Sequence, residues 1–148
     1  MKSKSLEVLL VEDELGDARL VREMLAEPGV VGTRFRITHV DRLDPAMRLL
    51  STGRYDVVLL DLLLADNPRL GTLMEIYEQA ARTPVIVLTG LEDEVVGLWA
   101  LKEGAQDYLV KGRVDAGMLQ ESILHAIQRH SAGIGSGAVA KALMANAR

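Results

Sequence analysis

The run Val57-Val58-Leu59-Leu60-Asp61 carries four apolar residues straight into one carboxylate. A short apolar run of this kind reads as a strand buried on both faces. Inside such a strand an unpaired carboxylate is costly. At its end, where the strand leaves the sheet, Asp61 can meet solvent, a cation or a substrate. An Asp that merely stops a strand is common, so Asp61 by itself decides little. Three further apolar runs also end on polar groups: Leu6 to Val11 meets Glu12-Asp13-Glu14, Val85 to Leu88 meets Thr89-Gly90, and the run ending at Val110 meets Lys111-Gly112.

These four endings fit one chemistry. Glu12, Asp13 and Asp61 at close range repel and raise one another's pKa values. A hard divalent cation removes that conflict, and Mg²⁺ prefers oxygen ligands, often one or two carboxylates plus phosphate oxygens. The backbone carbonyl of Leu63 is placed to complete the set. For Glu12-Asp13-Glu14 taken alone, a metal-free acidic turn serves as well. A carboxylate can also act as a nucleophile and form an aspartyl phosphate. Lys111 then supplies a point charge against phosphate, and Thr89 a hydroxyl donor. Together these groups suffice for phosphoryl transfer by positioning and electrostatics. Each residue has a plainer role as a turn former or solvated strand end, but that reading leaves their concurrence unexplained.

The elements that must position them follow from the pattern. Leu6–Val11 is the first strand. Asp17 is expected to cap a helix whose stripe is Leu20, Val21, Met24 and Leu25, ended by Pro28-Gly29. Thr33–Val40 alternates, with Phe35, Ile37 and His39 on one side, and its polarity places it near a sheet edge. Asp44-Pro45 opens a short helix with Met47, Leu49 and Leu50 on its apolar face. Tyr55–Asp61 is the third strand, 62–69 a loop, and Thr72–Arg82 a helix. Val85–Leu88 is the fourth strand. Glu92-Asp93-Glu94 starts a helix that carries Val95, Val96, Leu98, Trp99 and Leu101 and stops at Gly104. Asp107–Val110 is the fifth strand. Asp115 caps a last helix with Met118, Leu119, Ile123, Leu124 and Ile127 as its stripe. Strand and helix thus alternate five times, which predicts a doubly wound parallel α/β sheet with right-handed crossovers. In such sheets the functional crevice lies at the carboxyl ends of the strands, where all four polar endings fall. His39, His125 and His130 are not spaced as a triad or metal cluster, and His39 reads as strand-end packing.

Composition sets the outer bounds. The 148 residues suit one domain, with 49% hydrophobic and 26% charged residues. The net charge of −4 and the lack of a long basic run disfavour direct nucleic-acid binding. With no cysteine there is no disulfide framework, thiolate metal site or cysteine nucleophile. The basic start Met1-Lys2-Ser3-Lys4-Ser5 precedes no long apolar segment, so no signal peptide or membrane span is expected and a cytoplasmic location is. Residues 1–131 read as one domain. Residues 132–148, with Gly133, Gly135, Ser136 and Gly137 followed by an alanine-rich stretch, read as linker and tail. That tail is expected to be disordered or an expression remnant; docking on a partner or a second copy, and so a homodimer, stays open.

Glu12-Asp13, Asp61, Thr89, Lys111 and the run Glu103-Gly104-Ala105-Gln106-Asp107-Tyr108-Leu109-Val110-Lys111 resemble the receiver domain of bacterial two-component response regulators. The resemblance covers Leu6 to about His130. It implies a flavodoxin-like (βα)5 sheet of order 2-1-3-4-5, with phosphate transfer from a histidine kinase or phosphotransfer protein to Asp61. Glu12, Asp13 and Asp61 would hold Mg²⁺, and Lys111 would pair with the phosphoryl group. Thr89 would move toward it, while Tyr108 changes rotamer as its face of the sheet rearranges. For Tyr108 an ordinary half-buried aromatic is the plainer alternative. The implied protein is not an enzyme but a stand-alone signalling module whose output is binding to an effector, or a receiver from a longer regulator or hybrid kinase. Two other readings compete. A covalent phosphatase of haloacid-dehalogenase type needs a second carboxylate two residues after the nucleophile, where Leu63 stands. A degenerate receiver, working without phosphorylation, has the altered 65–69 loop as its motive.

The sequence departs from the family at Ala65, where Pro is usual, at Arg69, near which Gly is usual, and at Gly112, where the family often has a cis Pro. A trans Lys111–Gly112 bond and a reshaped last loop are therefore expected. Leu63 and Leu91 stand at spots that border the attacking-water path in the family, so a long-lived phosphorylated form is expected.

Overall fold

The computed structural model describes residues 4–29, 32–52, 54–62, 76, 83–90 and 94–131. Its strands are β1 (Lys4–Val11), β2 (Thr33–Val40), β3 (Val57–Leu60), β4 (Val85–Thr89) and β5 (Asp107–Val110). Its helices are α1 (Leu15–Ala26), α2 (Leu43–Thr52), α3 (Glu94–Glu103) and α4 (Ala116–Ser131). All strand pairs are parallel, in the order β2-β1-β3-β4-β5. This is the doubly wound sheet that the alternation predicts. The polar β2 does lie at an edge. Strand order reverses between β1 and β3, which makes their carboxyl ends the topological switch point.

The period-two alternation of the strands divides the core in two. Leu9 and Val11, Val58 and Leu60, and Val85 and Val87 face one layer, with Leu43 and Ala46 of α2, Ile76 and Ala100 of α3. Val8 and Leu10, Val57 and Leu59, and Ile86 and Leu88 face the other, with Ala18, Val21, Met24 and Leu25 of α1 and Leu119, Ile123 and Ala126 of α4. Every residue of β3 is fully buried, because helices cover both faces. Register then fixes the rim: Val11 lies beside Leu60, Leu60 beside Val87 and Thr89 beside Val110. Glu12, Asp61 and Lys111 follow directly on Val11, Leu60 and Val110, and Thr89 is the last residue of β4.

Several local expectations change. Glu14, not Asp17, is the N-cap of α1: its backbone is extended and its side chain accepts a hydrogen bond from the Gly16 N–H at 3.0 Å. The helix therefore starts early enough to leave Asp17 in its first turn, with its carboxylate available for other partners. Leu20, Met118 and Val95 are exposed rather than inward. Each helix carries more apolar residues than one stripe holds, and packing selects Ala18 with Val21, and Ala126 with Ile123. Asp115 does cap α4, accepting from the Met118 N–H at 2.8 Å. β3 is shorter than expected, since Tyr55 and Asp56 precede it. The Asp56 carboxylate instead accepts from the Glu7 N–H at 2.7 Å.

The run before Lys111 is held by α4. Ser122 donates to Asp107 at 2.6 Å and Arg129 to the Gln106 carbonyl at 2.9 Å, which anchors β5 at its start. At its end, no peptide bond among the described residues is cis, so Lys111–Gly112 is trans as expected. Gly112 has φ 84°, in the left-handed region that Pro cannot enter. Of the expected 62–69 loop only Leu62 is described, and of the 72–82 helix only Ile76, helical and buried. Leu63, Ala65, Arg69, Leu91 and the 132–148 tail lie outside the described residues.

A buried glutamine closes the far end of α1. Gln120 donates to the carbonyls of Met24 and Glu27, both at 3.0 Å, and so satisfies helix-end acceptors. A Cβ on Gly29 would sit 1.8 Å from Gln120 Oε1. Gly29→Ala is therefore expected to push Gln120 off both carbonyls. That costs about 1–3 kcal/mol, the penalty for stranded buried polar groups, and is read from urea unfolding. An unchanged midpoint would mean that Gln120 relocates freely.

Candidate functional site

The rim is built from backbone first. The Asp61 N–H donates to the Val11 carbonyl at 3.1 Å and the Glu12 N–H to the Val40 carbonyl at 3.0 Å. The Lys111 N–H donates to the Thr89 carbonyl at 2.9 Å. The sheet's own ladder thus carries Glu12, Asp61 and Lys111 one step past their strands, beside Thr89 at the end of β4, and brings the four endings to one crevice.

Both oxygens of Asp61 are held. Thr89 Oγ1 donates to Oδ1 at 2.7 Å, and Lys111 Nζ donates to Oδ2 at 2.9 Å. Lys111 Nζ also donates to Asp17 Oδ2 at 2.9 Å and to Glu12 Oε1. Glu12, Asp13 and Asp61 each offer an oxygen, and these lie within 4.8 Å of one another. Glu12 and Asp61 are buried, while Asp13 is exposed at the mouth. Tyr108 is half-buried on β5, its ring beside α3, where a Cβ on Gly97 would lie 3.2 Å from Cδ1. Leu63, whose carbonyl was expected among the metal ligands, is outside the described residues.

Two residues join the site that sequence reasoning read otherwise. Asp17, expected as a cap, is an ion-pair partner of Lys111. The available signal was its place in the first turn of the helix that leaves the rim directly after Glu12-Asp13. His39, expected as packing, hydrogen-bonds through Nε2 to the Glu12 carbonyl at 2.7 Å. A carbonyl only accepts, so Nε2 carries the proton. Only the pairing of β2 with β1, which sets His39 beside Leu10, brings it to the acidic turn.

Charge is unevenly shared. Burial pushes the Glu12 carboxyl up to about 7 and the Asp61 charge adds to this, against the hydrogen bond from Lys111, which lowers it. Burial works against the Lys111 ammonium, but hydrogen bonds to Glu12, Asp17 and Asp61 outweigh it and hold the pKa above the usual lysine range. The site is thus rich in oxygens, one of which takes a proton near neutrality. Such a donor set fits a hard divalent cation. A cation held by Glu12 would compete with that proton, so Mg²⁺ affinity is expected to fall as pH drops through 7, by up to tenfold per unit below it. Titration calorimetry at pH 8 and pH 6 reads this, and equal affinities would refute it. Stability without divalent cation runs the opposite way. The folded pKa of Glu12 exceeds its unfolded value of 4.5, so its contribution is full below that value and is lost as pH rises through about 7.

A doubly wound parallel domain thus gathers an acidic, hydroxyl and ammonium set at its switch point. Comparison with known proteins gives the family. The family model of the response regulator receiver domain matches residues 8–124. The KDP operon transcriptional regulatory protein KdpE of Escherichia coli is 34% identical over 125 residues, which cover 84% of this chain and 52% of that protein. The methanogenesis regulatory protein FilR1 of Methanothrix harundinacea is 37% identical over 112 residues, 71% of this chain and 24% of that protein. The chain therefore spans about half or less of these relatives. Among solved structures, the receiver domain of Francisella response regulator 1452 matches with TM-score 0.70 and 25% identity, covering 84% of this chain and 98% of that one. The receiver domain of sensor histidine kinase PA1611 from Pseudomonas aeruginosa, which has a magnesium ion coordinated in its active-site cleft, matches with TM-score 0.68 and 29% identity, covering 84% and 99%. This chain belongs to the response regulator receiver domain family of two-component systems.

Proposed function

We propose that Asp61 is the phosphoacceptor, taking its phosphoryl group from a histidine kinase or a histidine phosphotransfer protein. The observation that carries this reading is the pairing of both Asp61 oxygens: Oδ1 with the Thr89 hydroxyl and Oδ2 with the Lys111 ammonium. Either donor can follow the charge onto a phosphoryl oxygen. In the transfer an Asp61 oxygen attacks phosphorus and forms the new P–O bond. The P–N bond of the phosphohistidine breaks, and its electron pair leaves with the imidazole. Glu12, Asp13 and Asp61, with the Leu63 carbonyl, would hold Mg²⁺, which when bound neutralises phosphoryl oxygens and orients attack. Lys111 stabilises the charge that develops, and burial makes its contribution larger than in water.

Phosphorylation adds charge next to Thr89 and Lys111, both tied to the switch-point rim. Thr89 turning toward the new group opens space beneath Tyr108, whose ring moves against α3. The output is protein binding on that face, without direct nucleic-acid contact, and the chain acts in the cytoplasm. Among the described residues no helix is long and apolar enough to cross a membrane. Incubation with acetyl phosphate and Mg²⁺ followed by intact-mass measurement tests the reading. One added phosphoryl group supports it; none, even under forcing conditions, would favour a receiver that works unphosphorylated.

A further inference from the structure

The geometry points to Asp17 as a positioning residue that sets how Lys111 divides itself between the resting site and a phosphoryl group on Asp61. This inference rests on the reading of Asp61 as the phosphoacceptor. An ammonium has three N–H donors, and Lys111 meets three carboxylates: Glu12, Asp17 and Asp61. Every donor is engaged. Two of those partners, Glu12 and Asp61, also belong to the acidic trio whose oxygens converge within 4.8 Å; Asp17 is not in that trio. The side chains of Glu12 and Asp61 are 2% and 5% exposed, whereas that of Asp17 is 40% exposed.

These differences give Asp17 a separate task. A phosphoryl oxygen needs one N–H of Lys111. Releasing Glu12 or Asp61 strands a buried carboxylate, which is costly. Releasing Asp17 returns a carboxylate to water at the first turn of α1, where the helix N-terminus still favours its charge. In the resting protein Asp17 takes one of the three Lys111 N–H donors that would otherwise go to Glu12 and Asp61, and so eases entry of a divalent cation between them. In the phosphorylated protein it competes with the phosphoryl group for the same ammonium.

The two effects have opposite signs. Asp17→Asn is expected to weaken Mg²⁺ binding, because Lys111 then pairs more fully with Glu12 and Asp61. At saturating Mg²⁺ the same change is expected to tighten binding of beryllofluoride, a phosphoryl mimic on Asp61. Each shift is expected to be about threefold or more, and the Mg²⁺ shift should shrink by at least that factor in a Lys111→Met background, as a double-mutant cycle requires. Asp17→Ser, tolerated in a first turn, serves as the second variant if the first folds poorly. A merely structural residue would move both affinities together, and a through-space charge effect would survive loss of Lys111. Either result, or shifts below threefold, overturns the inference. If the wild-type chain itself binds no beryllofluoride with Mg²⁺, the phosphoacceptor reading fails first and the role of Asp17 falls with it.

Discussion

Asp61→Asn protein is expected to gain no phosphoryl mass from acetyl phosphate and Mg²⁺ under conditions that label the wild-type chain once. The two side chains match in size, so the crevice stays filled. The amide keeps one oxygen to accept from Lys111, and its NH₂ can donate to Thr89 Oγ1, so the fold survives. What disappears is the carboxylate proposed to attack phosphorus and one negative charge of the acidic trio that converges within 4.8 Å. Loss of the Asp61 charge also removes one of the causes that push the Glu12 carboxyl up, so the Glu12 pKa should fall in the variant. Peptide mapping of the labelled wild type completes the measurement. A phosphoryl group found on another carboxylate, or retained labelling in Asp61→Asn, would reassign the nucleophile.

Lys111→Met is the second large effect, and it acts on stability as well as chemistry. Methionine keeps an unbranched stem of similar length but removes the cation that three carboxylates share. Two of those carboxylates are almost fully buried. Breaking a buried pair by removing one partner costs about 3–5 kcal/mol. Without divalent cation the variant is therefore expected to unfold at clearly lower urea than wild type. Part of the loss should return on acidification, as Glu12 takes a proton, and part on addition of Mg²⁺. Mg²⁺ affinity should rise, because a competing positive charge has gone, while phosphorylation of Asp61 slows for want of the ammonium. Tighter Mg²⁺ with slower labelling is the signature of this arrangement. Weaker Mg²⁺ binding in the variant would show that Lys111 supports the metal-binding geometry instead of opposing the metal.

Much of this protein is legible in its sequence because two signals agree. Apolar runs too short for helices alternate with helical spacing, and that alternation allows few folds besides a doubly wound parallel sheet. Such a sheet has one functional edge, so residues that end separate runs, Glu12, Asp13, Asp61, Thr89 and Lys111, can be assigned to one place without knowing a single distance. Gly112 was likewise readable: without Pro there, a trans bond was the expectation, and the positive φ fits the glycine. The helix stripes were read less well. Leu20, Met118 and Val95 are as apolar as their buried neighbours, and composition cannot say through what angle a helix is turned against its sheet.

What the sequence determined was the order of elements and the kinds of groups gathered at the rim, since both follow from local periodicity and from where each run stops. What only the tertiary structure decided was which of those groups touch. Asp17 reaches Lys111 because α1 begins at Leu15, under a Glu14 cap, and so swings its first turn over the crevice. His39 reaches the Glu12 carbonyl because β2 pairs with β1 in one register. Both contacts join residues far apart in the chain. Their existence depends on strand register and helix start, quantities set by packing of the whole domain rather than by any stretch of neighbouring residues.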